Sequence, residues 1–135
     1  MSDQFHISGY ATVFEHYDLN NDVIKPHAFE NPIPSTLPLL WEHASNQPVG
    51  YTTSIEQDEY GLYISALIIL TTKTAREVKN LICDSNIRGL SIGFIPISTK
   101  SDPRTPCRII HKAKLLEISI VTIPSNYLAH ITYFG

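Results

Sequence analysis

Over most of the chain, apolar and polar residues alternate with period two, the spacing of strands whose two faces meet different surroundings. Residues 5–14 put Phe5, Ile7, Gly9, Ala11 and Val13 on one face. Residues 49–56 and 61–70 predict two more strands, joined by the polar bend Gln57-Asp58-Glu59-Tyr60-Gly61, a hairpin signal. Residues 87–98, 108–122 and 128–134 continue the strand series, with a polar, proline-containing turn at 100–106. Leu39-Leu40-Trp41 is a short apolar run leading into Glu42 and His43. Residues 15–25, with Asp18, Asn20, Asn21 and Asp22, read as a loop, and the proline-rich 31–38 as a loop or lid. Pro26 is placed to start a single helical turn over 26–29. The period changes once: Ala75, Val78, Leu81 and Ile82 fall at helical spacing within 71–84, with Thr71, Thr72 or Thr74 available as a cap. The pattern predicts a mainly β fold: a small closed antiparallel β-barrel with one main helix and short peripheral helices.

Composition narrows the class. At 135 residues the chain predicts a single domain over 1–135. Charged residues are 17 % of the total, below the average of about 25 %, which excludes a disordered chain. The formal net charge is −3, and no basic block exceeds the scatter of Arg108, Lys112 and Lys114, so no direct nucleic-acid partner is expected. Cys83 and Cys107 are too few for a disulfide framework and predict reduced thiols in a cytosolic protein. Metal-ligand spacings such as C-x-x-C and H-E-x-x-H do not occur, and no cofactor or metal is expected. The start of the chain lacks the basic and apolar regions of a signal peptide. The longest apolar run, 66–70, falls far short of the roughly 20 residues of a membrane span, so a soluble protein with no membrane partner is expected.

Three residues stand out chemically. Gly89-Leu90-Ser91-Ile92-Gly93 spells G-x-S-x-G, the nucleophile elbow of α/β-hydrolases. The context contradicts an elbow, which needs a strand, a sharp turn and a helix, whereas this motif runs on into the strand-like Phe94-Ile95-Pro96-Ile97; the chain is also too short for a hydrolase sheet. Ser91 is then either a nucleophile borne on a strand or a small residue on a sheet face, with Leu90, Ile92 and Phe94 packing on the other. His43, at the end of an apolar run, suits a general base and equally suits a surface histidine. Glu117 is the one charge in the apolar stretch 115–123. A buried carboxylate needs a partner, either a histidine N–H or a basic side chain such as Arg88, and a structural ion pair would satisfy it as well. Ser119 shares its face.

Taken together, several segments resemble the prohead proteases of tailed phages with HK97-type capsids. They are Gly-Tyr-Ala-Thr-Val-Phe at 9–14, Asn-Asp-Val-Ile at 21–24, Ala28-Phe29, Leu-Leu-Trp-Glu-His at 39–43, Pro-Val-Gly at 48–50 and Gly-Leu-Tyr at 61–63. The most specific are Ile-Arg-Gly-Leu-Ser-Ile-Gly-Phe at 87–94 and Leu-Glu-Ile-Ser-Ile-Val-Thr-Ile-Pro-Ser-Asn at 116–126. One departure is His27, where members of that family often carry glycine. The resemblance implies the barrel fold of herpesvirus assemblins and a serine endopeptidase without cofactor or metal. By motif match it implies Ser91 as nucleophile, His43 as general base and Glu117 as third member, with His111 as the rival for that last place because assemblins use a second histidine. The implied substrates are the scaffold or the scaffold-like N-terminal segment of the capsid protein, cut inside the immature capsid (the prohead) in the host cytoplasm, together with self-cleavage. A homodimer is left open by the relation to assemblins. The competing reading is a catalytically inactive capsid-assembly factor of the same fold that binds coat or scaffold protein. The loops at 31–38 and 100–106 are the segments that assembly would order if activity awaits the prohead.

Overall fold

The computed structural model describes residues 3–101 and 103–135, which form eight strands and one helix. Strand β1 (Gln4–Val13) pairs antiparallel with β5 (Gly61–Ile69), from Gln4↔Ile69 to Val13↔Gly61. Strand β5 pairs with β4 (Ala44–Gln57), and β4 with β3 (Pro38–Trp41), both antiparallel. The long β7 (Arg108–Val121) is the hub. Along one edge it meets β6 (Gly89–Ser101) antiparallel. Along the other it meets β2 (Asp22–Ile24) and then β3, both parallel. Strand β8 (Ile131–Phe134) pairs with β1.

The ladder is one open eight-stranded sheet, not the closed barrel expected from the sequence. Its two ends are β6 and β8. Strand β8 is four residues long and its ladder goes to β1. Toward β6, the chain just before β8 offers an isolated bridge, Gly89↔His130, with Leu90 N–H donating to the Ala129 carbonyl and Ile131 N–H to the Arg88 carbonyl. The end of the sheet therefore touches its beginning without a continuous ladder.

Burial follows the predicted alternation. In β5, Leu62, Ile64, Ala66 and Ile68 all have no exposed surface, while Tyr63, Ser65 and Leu67 on the opposite face are partly exposed. The helix α1 (Lys73–Cys83) buries Ala75, Val78 and Ile82. The Thr72 hydroxyl caps it by accepting from the Ala75 N–H at 3.1 Å, and Ser85 ends it in the left-handed region at φ 61°.

Several local expectations differ. Residues 26–29 form a turn, not a helical turn, so among the described residues α1 is the single helix. His27, the position where the resembling family often has glycine, is itself left-handed at φ 65°, and its ring meets Glu59 Oε1 at 2.7 Å. Histidine is among the residues that tolerate this region better than branched side chains. The expected loop at 15–25 contains β2, and β4 begins at Ala44, five residues earlier than expected.

Candidate active site

The β3–β4 connection carries the first site residue. Trp41 pairs with Ala44, leaving Glu42 and His43 as a two-residue turn with φ of 53° and 60°. Positive φ at both central positions is the type I′ geometry, whose twist matches a hairpin but which glycine and asparagine normally supply. Here the turn is pinned from outside. Glu42 N–H donates to the Ile120 carbonyl, and the Glu42 carboxylate accepts from both the backbone N–H and the hydroxyl of Thr122. These bonds offset the steric cost of two left-handed residues, about 1–2 kcal/mol each.

The remaining residues come from the β6–β7 ladder, where Ser91 faces Ser119 and Gly93 faces Glu117. His43 Nε2 lies 3.1 Å from Ser91 Oγ, and His43 Nδ1 lies 3.0 Å from Glu117 Oε1. Ser119, fully buried, donates its hydroxyl to the same Glu117 oxygen at 3.0 Å. An ionised carboxylate only accepts, so Nδ1 carries the ring proton and the lone pair of Nε2 faces the Ser91 hydroxyl. The Glu117 side chain is 15 % exposed and that of His43 44 %, while Ser91 is buried. The relay thus runs from a shielded carboxylate to a ring at the surface.

The structure brings His43, Ser91 and Glu117 together and leaves the alternatives elsewhere. His111 sits six residues before Glu117 on β7, roughly 20 Å along an extended strand. It lines a separate depression with Lys25, Lys100 and Ile109. Arg88 does not meet Glu117: it donates to Ser85 Oγ at 2.8 Å and its guanidinium lies 4.4 Å from the centre of the Phe134 ring.

Two contributors were not visible in the sequence reading. Gly93 leaves the space that Glu117 fills, since a Cβ there would stand 2.5 Å from Glu117 Cγ and 2.7 Å from its carboxyl carbon. The second glycine of the G-x-S-x-G letters, in a stretch whose context excludes an elbow, was the available signal: it clears room for a carboxylate. Glu42 was the other, and its position beside a histidine between two strands was the available sign.

Beside Ser91 and His43 opens a cavity of about 100 Å³, walled also by Thr12, Phe94 and the polar residues Asp18, Asn20, Ser125 and Asn126. Desolvation pushes the Asp18 carboxyl up, against the hydrogen bonds it accepts from the backbone of Asp22 and Asn20. Among the described residues, no cluster of histidine, cysteine or acidic side chains could hold a metal ion.

The chain is similar in sequence and in fold to known proteins. A family model described as caudovirus prohead serine protease matches residues 1–134. The prohead protease of Enterobacteria phage HK97 is 33 % identical over 131 residues, covering 91 % of this chain, and the chain spans 57 % of that relative's length. Among solved structures, the capsid assembly protease of bacteriophage T4 superposes with a TM-score of 0.64 at 14 % identity, over 86 % of this chain and 80 % of that one. The KSHV protease bound to a hexapeptide phosphonate inhibitor gives 0.62 at 16 % identity, over 98 % of this chain and 65 % of that one. The last two likenesses establish a shared assemblin-like fold. With a family model spanning residues 1–134, the chain belongs to the caudovirus prohead serine protease family.

Proposed function

We propose that the chain is a serine endopeptidase of phage capsid maturation that cuts the scaffold, or the scaffold-like N-terminal segment of the capsid protein, inside the prohead, and that it also cuts itself. The observation that carries this reading is the relay Glu117–His43–Ser91, two hydrogen bonds of 3.0 and 3.1 Å through opposite nitrogens of one ring. Ser91 Oγ attacks the scissile carbonyl while His43 Nε2 takes its proton, and the carbonyl electron pair moves onto oxygen. Collapse of that intermediate expels the amine, which takes the proton back from Nε2. Water then repeats the sequence on the acyl-enzyme and frees the new carboxylate. Glu117 holds Nδ1–H in place and stabilises the imidazolium formed in both halves. Its low exposure keeps that stabilisation from being screened by water.

The test is co-expression of the wild type and Ser91→Ala with the cognate capsid protein, followed by capsid-protein mass. The expected result is a shortened capsid protein with the wild type and a full-length one with Ser91→Ala. Uncut protein with both variants would favour the inactive assembly factor.

A further inference from the structure

Three large apolar side chains stand in water beside the candidate active site. Leu19 is 70 % exposed, Ile123 73 % and Tyr127 66 %. They come from two loops, residues 14–21 and 122–130, which are stitched to each other. Leu19 N–H donates to the Ser125 carbonyl at 3.0 Å, and Asn20 Nδ2 donates to Ser125 Oγ at 3.3 Å. The His16 ring meets that of Tyr127 edge-on, with centroids 6.4 Å apart. The second loop is anchored beneath by Asn126, buried, whose Nδ2 donates to the Val13 carbonyl at 2.7 Å.

Each apolar residue is tied by sequence to the wall of the cavity that Ser91 and His43 share. Leu19 lies between Asp18 and Asn20, Tyr127 follows Asn126, and Ile123 is two residues before Ser125. The polar members of both loops line the cavity, and we call the three exposed apolar side chains of the same loops its rim. Two hydrogen-bonded loops that are polar toward the cavity and carry exposed apolar side chains suit a peptide lying across them.

We propose that this rim is the recognition surface for substrate, and that it selects extended segments carrying bulky aliphatic or aromatic residues within three positions of the bond that is cut. The inference rests on the endopeptidase reading above and deepens it. Partial burial of one such side chain is worth roughly tenfold in binding. Continuity with the cavity at Ser91 assigns the rim to substrate over a second copy of the chain.

The experiment is cleavage of a proteome-derived peptide library, with cut sites mapped by mass spectrometry. The wild type is expected to enrich Leu, Ile, Val, Phe or Tyr within three positions of cut bonds at least about threefold over the library. Leu19→Ser combined with Tyr127→Ser should remove the enrichment. Ile123→Ser should weaken it from the other loop, and Tyr133→Ser, an exposed aromatic on β8, should leave it unchanged. Absence of enrichment, or enrichment that survives the double variant, overturns the proposal. So does a double variant that turns a sedimenting dimer into a monomer, which would give the rim to a second copy. The underlying reading is checked apart from this by labelling wild-type Ser91 with a fluorophosphonate. Labelling and cutting without enrichment overturns the rim alone, whereas neither labelling nor cutting overturns the endopeptidase and the rim with it.

Discussion

Gly93→Ala is the substitution whose outcome follows most directly from the geometry. The added methyl would stand 2.5 Å from Glu117 Cγ and 2.7 Å from its carboxyl carbon. Non-bonded carbons rest at about 3.5–4.0 Å, so the Glu117 side chain must move by roughly 1 Å. Cγ is near the root of that side chain, and a rotation that clears it carries the carboxylate along. A bond of 3.0 Å to His43 Nδ1 then opens to a distance where no hydrogen bond remains. Misplacing a catalytic group by 1 Å costs about 10²-fold, and losing the orienting acid of a triad about 10⁴-fold, so the expected loss lies between these. The assay is the rate of Ser91 labelling by a fluorophosphonate together with capsid-protein cleavage. Urea unfolding serves as the control, because glycine inside a strand weakens it and alanine should not destabilise β6 by itself. Since both changes act through one contact, adding Glu117→Gln to Gly93→Ala should slow labelling by less than about threefold beyond the slower single variant. Gly93→Ala labelling within threefold of the wild type, or a double variant slowed by the product of the two single effects, would refute the reasoning.

Other outcomes test the supports of the site and the fold. Glu42→Ala should release the left-handed turn and lower kcat about 10- to 100-fold with KM nearly steady, and Glu42→Gln, whose amide oxygen still accepts from Thr122, should recover most of it. Arg108 makes a two-pronged pair with the buried Asp22 at 2.8 and 2.9 Å, tying β2 to β7. Arg108→Met should cost about 1–2 kcal/mol in urea unfolding, less than a fully buried pair because the arginine side chain is 45 % exposed. Tyr10 donates to Asp58 at 2.5 Å, and that bond, then desolvation, pushes the phenol up to about 12 while holding the Asp58 carboxyl below the usual carboxylate range. A raised folded pKa contributes stability below the unfolded value near 10 and loses it as pH climbs through about 12, so the small advantage of wild type over Tyr10→Phe should persist to pH 10 and fade by 12. On the acid side the sign reverses, and the Asp58 contribution should fade as pH falls through its depressed pKa.

The sequence exposes most clearly what is local. The hairpin at 57–61 announces itself because Asp58 Oδ1 accepts from the N–H groups of Tyr60 and Gly61, bonds made within four residues. The helix announces itself through the spacing of Ala75, Val78 and Ile82. Strand β2 stays hidden because three residues make no pattern and their partner, β7, begins at Arg108. The start of β4 stays hidden because its turn is built from Glu42 and His43, where the usual glycine or asparagine signal is missing and the compensation comes from Thr122. Whether the sheet closes was equally out of reach. Alternation tells which face is buried, and the one-bridge contact at Gly89 and His130 depends on how short β8 is. His43, Ser91 and Glu117 were singled out by residue type and resemblance, while the space at Gly93 needed the register of two strands.

The partners of the relay lie far apart along the chain. His43 is 48 positions from Ser91 and 74 from Glu117, and β7 must dock between β6 and β3 before the ring can meet either one correctly. Contacts between residues so distant in sequence form late in folding. During synthesis, a chain that has emerged as far as β5 or α1 carries the histidine without its serine or its acid. On the proposed reading, proteolytic competence is therefore a property of the finished sheet, because a nascent or partly folded molecule lacks the relay of His43, Ser91 and Glu117.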